Sequence, residues 1–344
     1  MSDPTAIRAR RGWREAATAV GQLGRTSLLG TTFAFVLFGA GSAGGRRSAG
    51  EIGLALVGAI TFHVAAYAWN DVVDLPHDRE DRRRAASPLV RGSVRPAAVA
   101  AGATGSAAVA LAIAFVHSVL AGIAMAIGLS LLLLYDVFGK RVRMSPVTDA
   151  LQGLGWAALV AYGAAAVGRP TSVTAWTALA VMLLIVLTNG VHGSLRDLPS
   201  DARSGAKTTA LLLGAVPLEP DGARITARLA VYAITVHAAI VASVVAGLLD
   251  EPGAVDRGRL AVAVAGGAAC MALLAWTLAT THLPARSLRS GLAHMVLVLL
   301  LPLPLVSDRL DSQLTALLLV LFIGSWLFVA ASLPRRLGAR ELTA

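Results

Sequence analysis

The sequence predicts an all-α, polytopic membrane bundle of nine to ten transmembrane helices, and three observations carry that prediction. Of 344 residues, 56% are hydrophobic and only 15% are charged, a balance far from that of a soluble globular domain. Apolar runs recur along the chain, each approaching the roughly 20 residues needed to cross a bilayer's hydrocarbon core. Basic residues gather in alternate loops, as the positive-inside rule requires of a chain that crosses a membrane repeatedly.

The runs fall at residues 27–45, 51–70, 97–116, 118–136, 148–167, 173–195, 229–249, 260–281, 289–306 and 312–332. With the amino terminus inside, the cytoplasmic loops and both chain ends carry 24 of the 30 Lys and Arg residues. That asymmetry supports an even number of crossings in an integral cell membrane. Three segments follow: a basic cytoplasmic amino-terminal stretch (1–25), a transmembrane domain (26–332) and a cytoplasmic tail (333–344). Residues 1–25 lack the short apolar region and small-residue cleavage site of a signal peptide and are expected to lie along the anionic inner leaflet. The single cysteine, Cys270, lies inside an apolar run, which excludes an intramolecular disulfide and makes it a packing residue. The net charge of +10 sits in juxtamembrane loops without interleaved aromatics. Lipid headgroups or an anionic substrate fit it, and nucleic acid does not.

Two runs end in matching acidic text. Asp74-Leu75-Pro76-His77-Asp78 recurs as Asp197-Leu198-Pro199-Ser200-Asp201, in both cases at the predicted cytoplasmic end. On a helix, Asp71, Asp74 and Asp78 share one face, as do Asp197 and Asp201. Five carboxylates converging there repel one another, and a charged side chain at membrane depth costs about 2.5–3.5 kcal/mol on insertion scales. A cation must compensate. A set of hard oxygen ligands fits Mg2+, which is commonly shared between carboxylates and a substrate phosphate.

Pro76 and Pro199 lack an N–H and disfavour helix at the residue before them. The expectation is a helix end or kink inside each motif, with Asp71 and Asp197 on the last embedded turn, Asp74 at the junction, and Asp78 and Asp201 just beyond. The only two lysines among 30 basic residues, Lys140 and Lys207, lie on the same predicted side, where a compact point charge suits a diphosphate. Against these readings stands the bland one, that the acidic residues are solvated loop charges paired with Arg79, Arg82, Arg83, Arg84 and Arg203. It holds for Glu80 and Asp81. For Asn70, Asp71, Asp74, Asp197 and Asp201 the repetition at two helix ends argues against it.

Taken in order, these residues resemble the UbiA superfamily of intramembrane prenyltransferases, whose signatures are N-D-x-x-D-x-x-x-D and a later D-x-x-x-D. Ser87-Pro88-Leu89-Val90-Arg91-Gly92 is similar to the family's R-P-L-x-x-G segment, Tyr135 through Lys140-Arg141 to its Y-x-x-x-K-R segment, and Arg196-Asp197 with Gly205-Ala206-Lys207-Thr208-Thr209 to the surroundings of its second motif. The resemblance spans roughly residues 25 to 300. Three departures stand out. Ser87 takes the place of an arginine, with Arg91 and Arg84 the candidates to replace it; Pro76 lies inside the first motif; ten spans are counted where the family commonly has nine.

The resemblance implies a UbiA-type fold and transfer of a prenyl group from an allylic prenyl diphosphate to a hydrophobic or aromatic acceptor. It implies that Asp71, Asp74, Asp78, Asp197 and Asp201 bind Mg2+ with help from Asn70, and that Lys140, Arg141, Arg196 and Lys207 neutralise the leaving group. A terpene synthase of the same family would ionise the same diphosphate and cyclise the chain without an acceptor, and the motifs do not separate the two. An ion or metabolite transporter is a more distant alternative, because the carboxylates sit at helix ends rather than at the midplane. Tyr67, Trp69, Trp156 and Tyr162 are candidates to shield a carbocation, though each also reads as an anchor or packing residue. His63, His117, His192 and His294 lack metal-ligand spacing.

Overall fold

The computed structural model describes residues 21–23, 25–45, 48–80, 84–139, 145–218, 222–251, 253 and 255–332. Within them the chain forms a bundle of helices in the expected order. A 3-10 turn at Thr26–Leu28 leads into α1 (Leu29–Ser42). Helix α2 (Ala49–Val73) opens on a capping box, in which Ser48 Oγ accepts from the Glu51 N–H and the Glu51 carboxylate accepts from the Ser48 N–H. A single turn, α3 (Leu75–Asp78), follows, then α4 (Pro96–His117), α5 (Val119–Phe138), α6 (Ser145–Val167) and α7 (Ser172–Leu187). Helix α7 runs on through a π-helical turn, Thr188–Gly193, into α8 (Ser194–Ser204).

After α9 (Thr209–Leu212) a small antiparallel hairpin pairs β1 (Val216–Leu218) with β2 (Gly222–Arg224), Val216 lying opposite Arg224. This hairpin is an addition to the all-α expectation; it lies in the long segment 195–228, outside every apolar run. Three long helices follow, α10 (Ala227–Leu249), α11 (Arg257–Ala279) and α12 (Pro284–Leu299), and α13 (Ser312–Ser332) closes the order. Thr226 and Asp256 cap the amino termini of α10 and α11 with their side-chain oxygens.

Each of the ten expected spans falls on helix. Among the described residues, eight helical stretches are long and apolar enough to cross a membrane, whereas Thr26–Ser42 and Ser312–Leu327 are apolar but shorter. The chain is an integral membrane protein, and its surface agrees: Val116, Val119, Val231, Val262 and Val320 are each more than half exposed, an apolar face suited to lipid.

Helix α1 is the central stave. From Ala34 to Ser42 every residue is buried, as expected of a helix apolar all round, and it packs against α2, α6, α7 and α13. Small residues permit the closest of these approaches. A Cβ on Gly39 would overlap the Val160 carbonyl of α6, and one on Gly163 the Val36 carbonyl of α1, so the two backbones touch as small residues allow at membrane helix crossings. Tyr162 Oη donates to the Ala55 carbonyl at 3.1 Å and ties α6 to α2. That makes Tyr162 a packing residue. Cys270, 3% exposed on α11, packs in the core as expected.

The scattered histidines are less scattered in space. His192, in the π-turn, and His294, on α12, are hydrogen-bonded at 2.8 Å, with the His237 ring of α10 tilted against His294, 5.6 Å between ring centres. Among the described residues, no group of three His, Cys, Asp or Glu side chains is poised to hold a metal ion without rearrangement.

Candidate active site

The first aspartate motif is built where α2 stops. The Asp74 N–H still donates to Asn70 O at 2.9 Å, then Asp74 becomes the residue between α2 and α3, with Pro76 in the first turn of the new helix. Proline is tolerated there because a first-turn N–H has no intrahelical acceptor. The expected break within this motif is present, and Arg84 bonds both Asp71 and Asp78 across it.

Asp71 is 2% exposed, and its charge is met by two arginines. Arg84 Nη2 and Arg25 Nη2 reach Asp71 Oδ1 at 2.6 and 2.8 Å. Arg84 also forks onto Asp78 Oδ2, from Nε at 2.9 Å and Nη2 at 2.8 Å. Burial pushes the Asp78 carboxyl above its usual range, with Asp74 and Asp71 adding to the rise and Arg84 opposing it. Burial would lower the Arg84 guanidinium, but its bonds to Asp78 and the charge of Asp71 outweigh that and raise it. Arg84 is therefore a firmly charged clamp on the motif, whereas Arg91 is exposed. Of the two candidates to stand in for the arginine missing at Ser87, Arg84 is the one at the site.

Arg25 has a further peculiarity. It is the only non-glycine residue with positive φ among those described, at φ 40 and ψ 46, a left-handed conformation rare for a long side chain. Four contacts hold it. Its guanidinium bonds Asn70 Oδ1 at 2.9 Å as well as Asp71, stacks 4.8 Å above the Tyr67 ring, and its carbonyl lies 3.3 Å from His63 Nε2. Since a carbonyl only accepts, that nitrogen carries the proton and Nδ1 accepts from Thr32 Oγ1 at 2.6 Å. Beyond Tyr67, Trp156 is ringed by Phe35, Phe62 and His63, an apolar and aromatic floor under the charged cluster.

Asn70 links the motif to α5. Its amide donates to Asp136 Oδ1 at 2.9 Å and more weakly to Asp74 Oδ2 at 3.4 Å. Next to Asp136, near the end of α5, stands Tyr135. The same Tyr135 lines a cavity of about 40 Å3 with Asp149, Asn189, Ser194, Asp197, Asp201 and Thr208. The end of α5 thus stands between the two motifs, with Asp136 bonded to Asn70 of the first and Tyr135 lining the cavity of the second.

The second motif differs from expectation. Pro199 lies inside α8, and the helix carries both Asp197 and Asp201 without a break. The departure from regular geometry comes one turn earlier, in the π-turn. The single backbone bond that a proline forfeits is tolerated in a short helix whose end stays near solvent. Asp201 is buried, and Asp197 is half-buried and paired with its exposed neighbour Arg196 at 2.8 Å. Helix α8 ends at Gly205, φ 68, the left-handed cap glycine supplies, and the chain turns to Lys207. The Lys207 carbonyl accepts from the Ser145 hydroxyl. Lys140 and Arg141 lie outside the described residues.

Four residues at this site escape the sequence motifs: Arg25, Asp136, Asp149 and Asn189. Asp149 and Asn189 left a signal, since a carboxylate or amide inside an apolar run marks function by default. The oxygen-rich donor set, Asn70, Asp71, Asp74, Asp78, Asp197 and Asp201, suits Mg2+ by its chemistry. The two guanidiniums on one oxygen of Asp71 stand where positive charge is required.

Helices with lipid-facing apolar surfaces, and two aspartate motifs on either side of the end of α5, define an integral-membrane helical protein with an acidic, arginine-clamped site. Residues 28–278 match the UbiA prenyltransferase family, and the chain belongs to that family. It is 33% identical over 187 residues to the prenyltransferase stbC of Stachybotrys bisbyi, a match covering 52% of this chain and 55% of that protein; the match thus spans little more than half of the relative's length. In fold it is similar to the apo UbiA homologue of Aeropyrum pernix K1, with TM-score 0.61, 21% identity, and coverage of 83% of this chain and 98% of that one. It is likewise similar to an Archaeoglobus fulgidus UbiA homologue bound to GPP and Mg2+, with TM-score 0.62, 15% identity, and coverage of 84% and 99%.

Proposed function

We propose that this protein is a Mg2+-dependent membrane prenyltransferase that moves a prenyl group from an allylic diphosphate to an aromatic or other hydrophobic acceptor. The observation that supports this most strongly is that the end of α5 joins both aspartate motifs, Asp136 accepting from Asn70 and Tyr135 lining the cavity of Asp197 and Asp201, with Arg84 and Arg25 held on Asp71. GPP and Mg2+ bound to the Archaeoglobus homologue suit that reading. Asp71, Asp74, Asp78, Asp197 and Asp201 would hold the metal, with Asn70 orienting Asp74 and Asp136. When bound, Mg2+ supplies Lewis-acid stabilisation of the charge that develops on the diphosphate.

The chain's own residues account for the rest. Arg84, Arg25 and Lys207, with Lys140, Arg141 and Arg196, supply counter-charge for the leaving group as the allylic C–O bond breaks and its electron pair departs with the diphosphate. The aromatic floor of Tyr67, Trp156 and Phe62 keeps water from the cation and presents ring faces to it. A carbon of the acceptor then forms the new bond and loses its proton. The distribution of basic residues supports a cytoplasmic side for this site and for both termini.

Asp71→Ala and Asp197→Ala test the assignment. Both variants should still insert and fold, Asp71→Ala with a lowered unfolding midpoint because it strips a partner from Arg25 and Arg84, yet each should release diphosphate at least about a hundredfold more slowly. Retained turnover in both would remove the aspartates from the mechanism.

A further inference from the structure

Asp149 is a carboxylate 4% exposed on α6, within a membrane-spanning helix, and no sequence motif accounts for it. Its bonding is complete and one-sided. Oδ2 accepts from the Thr209 hydroxyl, and Oδ1 accepts from Asn189 Nδ2 at 2.6 Å. Among the described residues it has no cationic partner. The second hydrogen of the same Asn189 amide goes to Tyr135 Oη at 2.8 Å.

This chain of bonds has a direction. A side-chain amide can face either way unless a neighbour dictates which end is nitrogen. With Thr209 on one oxygen, Asp149 offers Asn189 only an acceptor, so Nδ2 must face it. The amide therefore donates to Tyr135 rather than accepting from it. The phenolic hydrogen must then point elsewhere, and among the described residues it has no acceptor. It lies at the wall of the cavity shared with Asp197 and Asp201.

We propose that Asp149 and Asn189 are positioning residues that hold the Tyr135 hydroxyl as a hydrogen-bond donor aimed into the site, toward an anionic oxygen of the substrate. The assignment of that anion to a diphosphate rests on the function proposed above; the orientation of the hydroxyl does not. Gly190 supports the arrangement, since a Cβ there would stand 2.7 Å from Asp149 Oδ2. Without Asp149, Asn189 is free to turn its oxygen to Tyr135. The phenol then spends its hydrogen on Asn189, and the site loses a donor.

Two measurements on the full chain in detergent test this. The first is the tyrosine Raman doublet, whose intensity ratio separates a donating from an accepting hydroxyl, taken as the wild type minus Tyr135→Phe difference. Tyr135 should read as an acceptor in the wild type and turn toward a donor in Asp149→Leu. If Asp149→Leu fails to fold, the isosteric Asp149→Asn, whose amide pair can face either way, should give a mixed signal. An unchanged signal overturns the proposal, whether or not the protein turns over any substrate.

The second is binding of geranyl S-thiolodiphosphate with Mg2+, by calorimetry. Asp149→Leu and Tyr135→Phe should each weaken it about tenfold, the loss expected for one hydrogen bond to a charged oxygen, and the double variant should be no weaker than either single one. Losses that multiply, at unchanged unfolding midpoints, would make Asp149 merely structural. A wild type that binds no diphosphate but shows the expected Raman shift would overturn the proposed function and leave the positioning role standing.

Discussion

Arg84 shows what a single residue contributes to this site. Its guanidinium spans Asp71 and Asp78 with three bonds, a geometry that lysine cannot reproduce with a point charge. Arg84→Lys is therefore expected to lower kcat/KM for an allylic diphosphate by about ten- to a hundredfold, which steady-state diphosphate release will read. Gly190 carries a second prediction. Gly190→Ala pushes a methyl toward Asp149 and Tyr232, whose Oη is 3.2 Å from the added carbon, and should destabilise the protein by about 1–3 kcal/mol as well as slow turnover, measured by thermal unfolding and assay. At this scale the sequence was partly legible. The two aspartate motifs announce themselves because their spacing repeats. Arg25 does not, because it is 46 residues from Asp71 in sequence and reaches it only once α1 and α2 pack. Asp149 and Asn189 were visible as polar residues in apolar runs, but which hydroxyl they serve depends on the contact between α5, α6 and the π-turn.

Elements reveal how the same Leu-Pro pair can act in two ways. Leu75-Pro76-His77 and Leu198-Pro199-Ser200 both suggest a helix break, yet only the first makes one. Pro76 falls at the start of a new turn, so its missing N–H costs nothing there. Pro199 falls inside α8, and the irregularity has moved back to Thr188–Gly193, a wide turn of the kind common at functional sites. Periodicity alone does not distinguish the two, because the difference lies in what precedes each proline. Pro199→Ala should thus keep turnover within about threefold and leave stability unchanged or raised, since alanine is the better helix former. Pro76→Ala should let α2 run on, turn Asp78 away from Arg84, and cost more than tenfold in turnover. Circular dichroism with parallel assays checks both. The hairpin at 216–224 was not legible, since its strands are three residues each.

Across the whole molecule, the apolar runs gave the helix order directly, because the bilayer imposes length and composition on every crossing. What they could not give is which helix lies at the centre. Helix α1 takes that place through its glycines rather than through its hydropathy, which it shares with the lipid-facing helices. Gly39→Leu or Gly163→Leu should separate α1 from α6 and lower the unfolding midpoint in detergent by several degrees or prevent folding, whereas Gly102→Leu, on the open face of α4, should do neither.

Whether this bundle transfers a prenyl group using Mg2+ is decided by incubating the purified protein with Mg2+ and allylic diphosphates of ten to twenty carbons, with and without aromatic acceptors, while following diphosphate and organic products. Diphosphate release that needs both Mg2+ and an acceptor, with a prenylated product, is the predicted result. Release without acceptor, yielding cyclic hydrocarbons, would contradict the transferase and make the protein a cyclase, and no release with any donor would contradict the account as a whole.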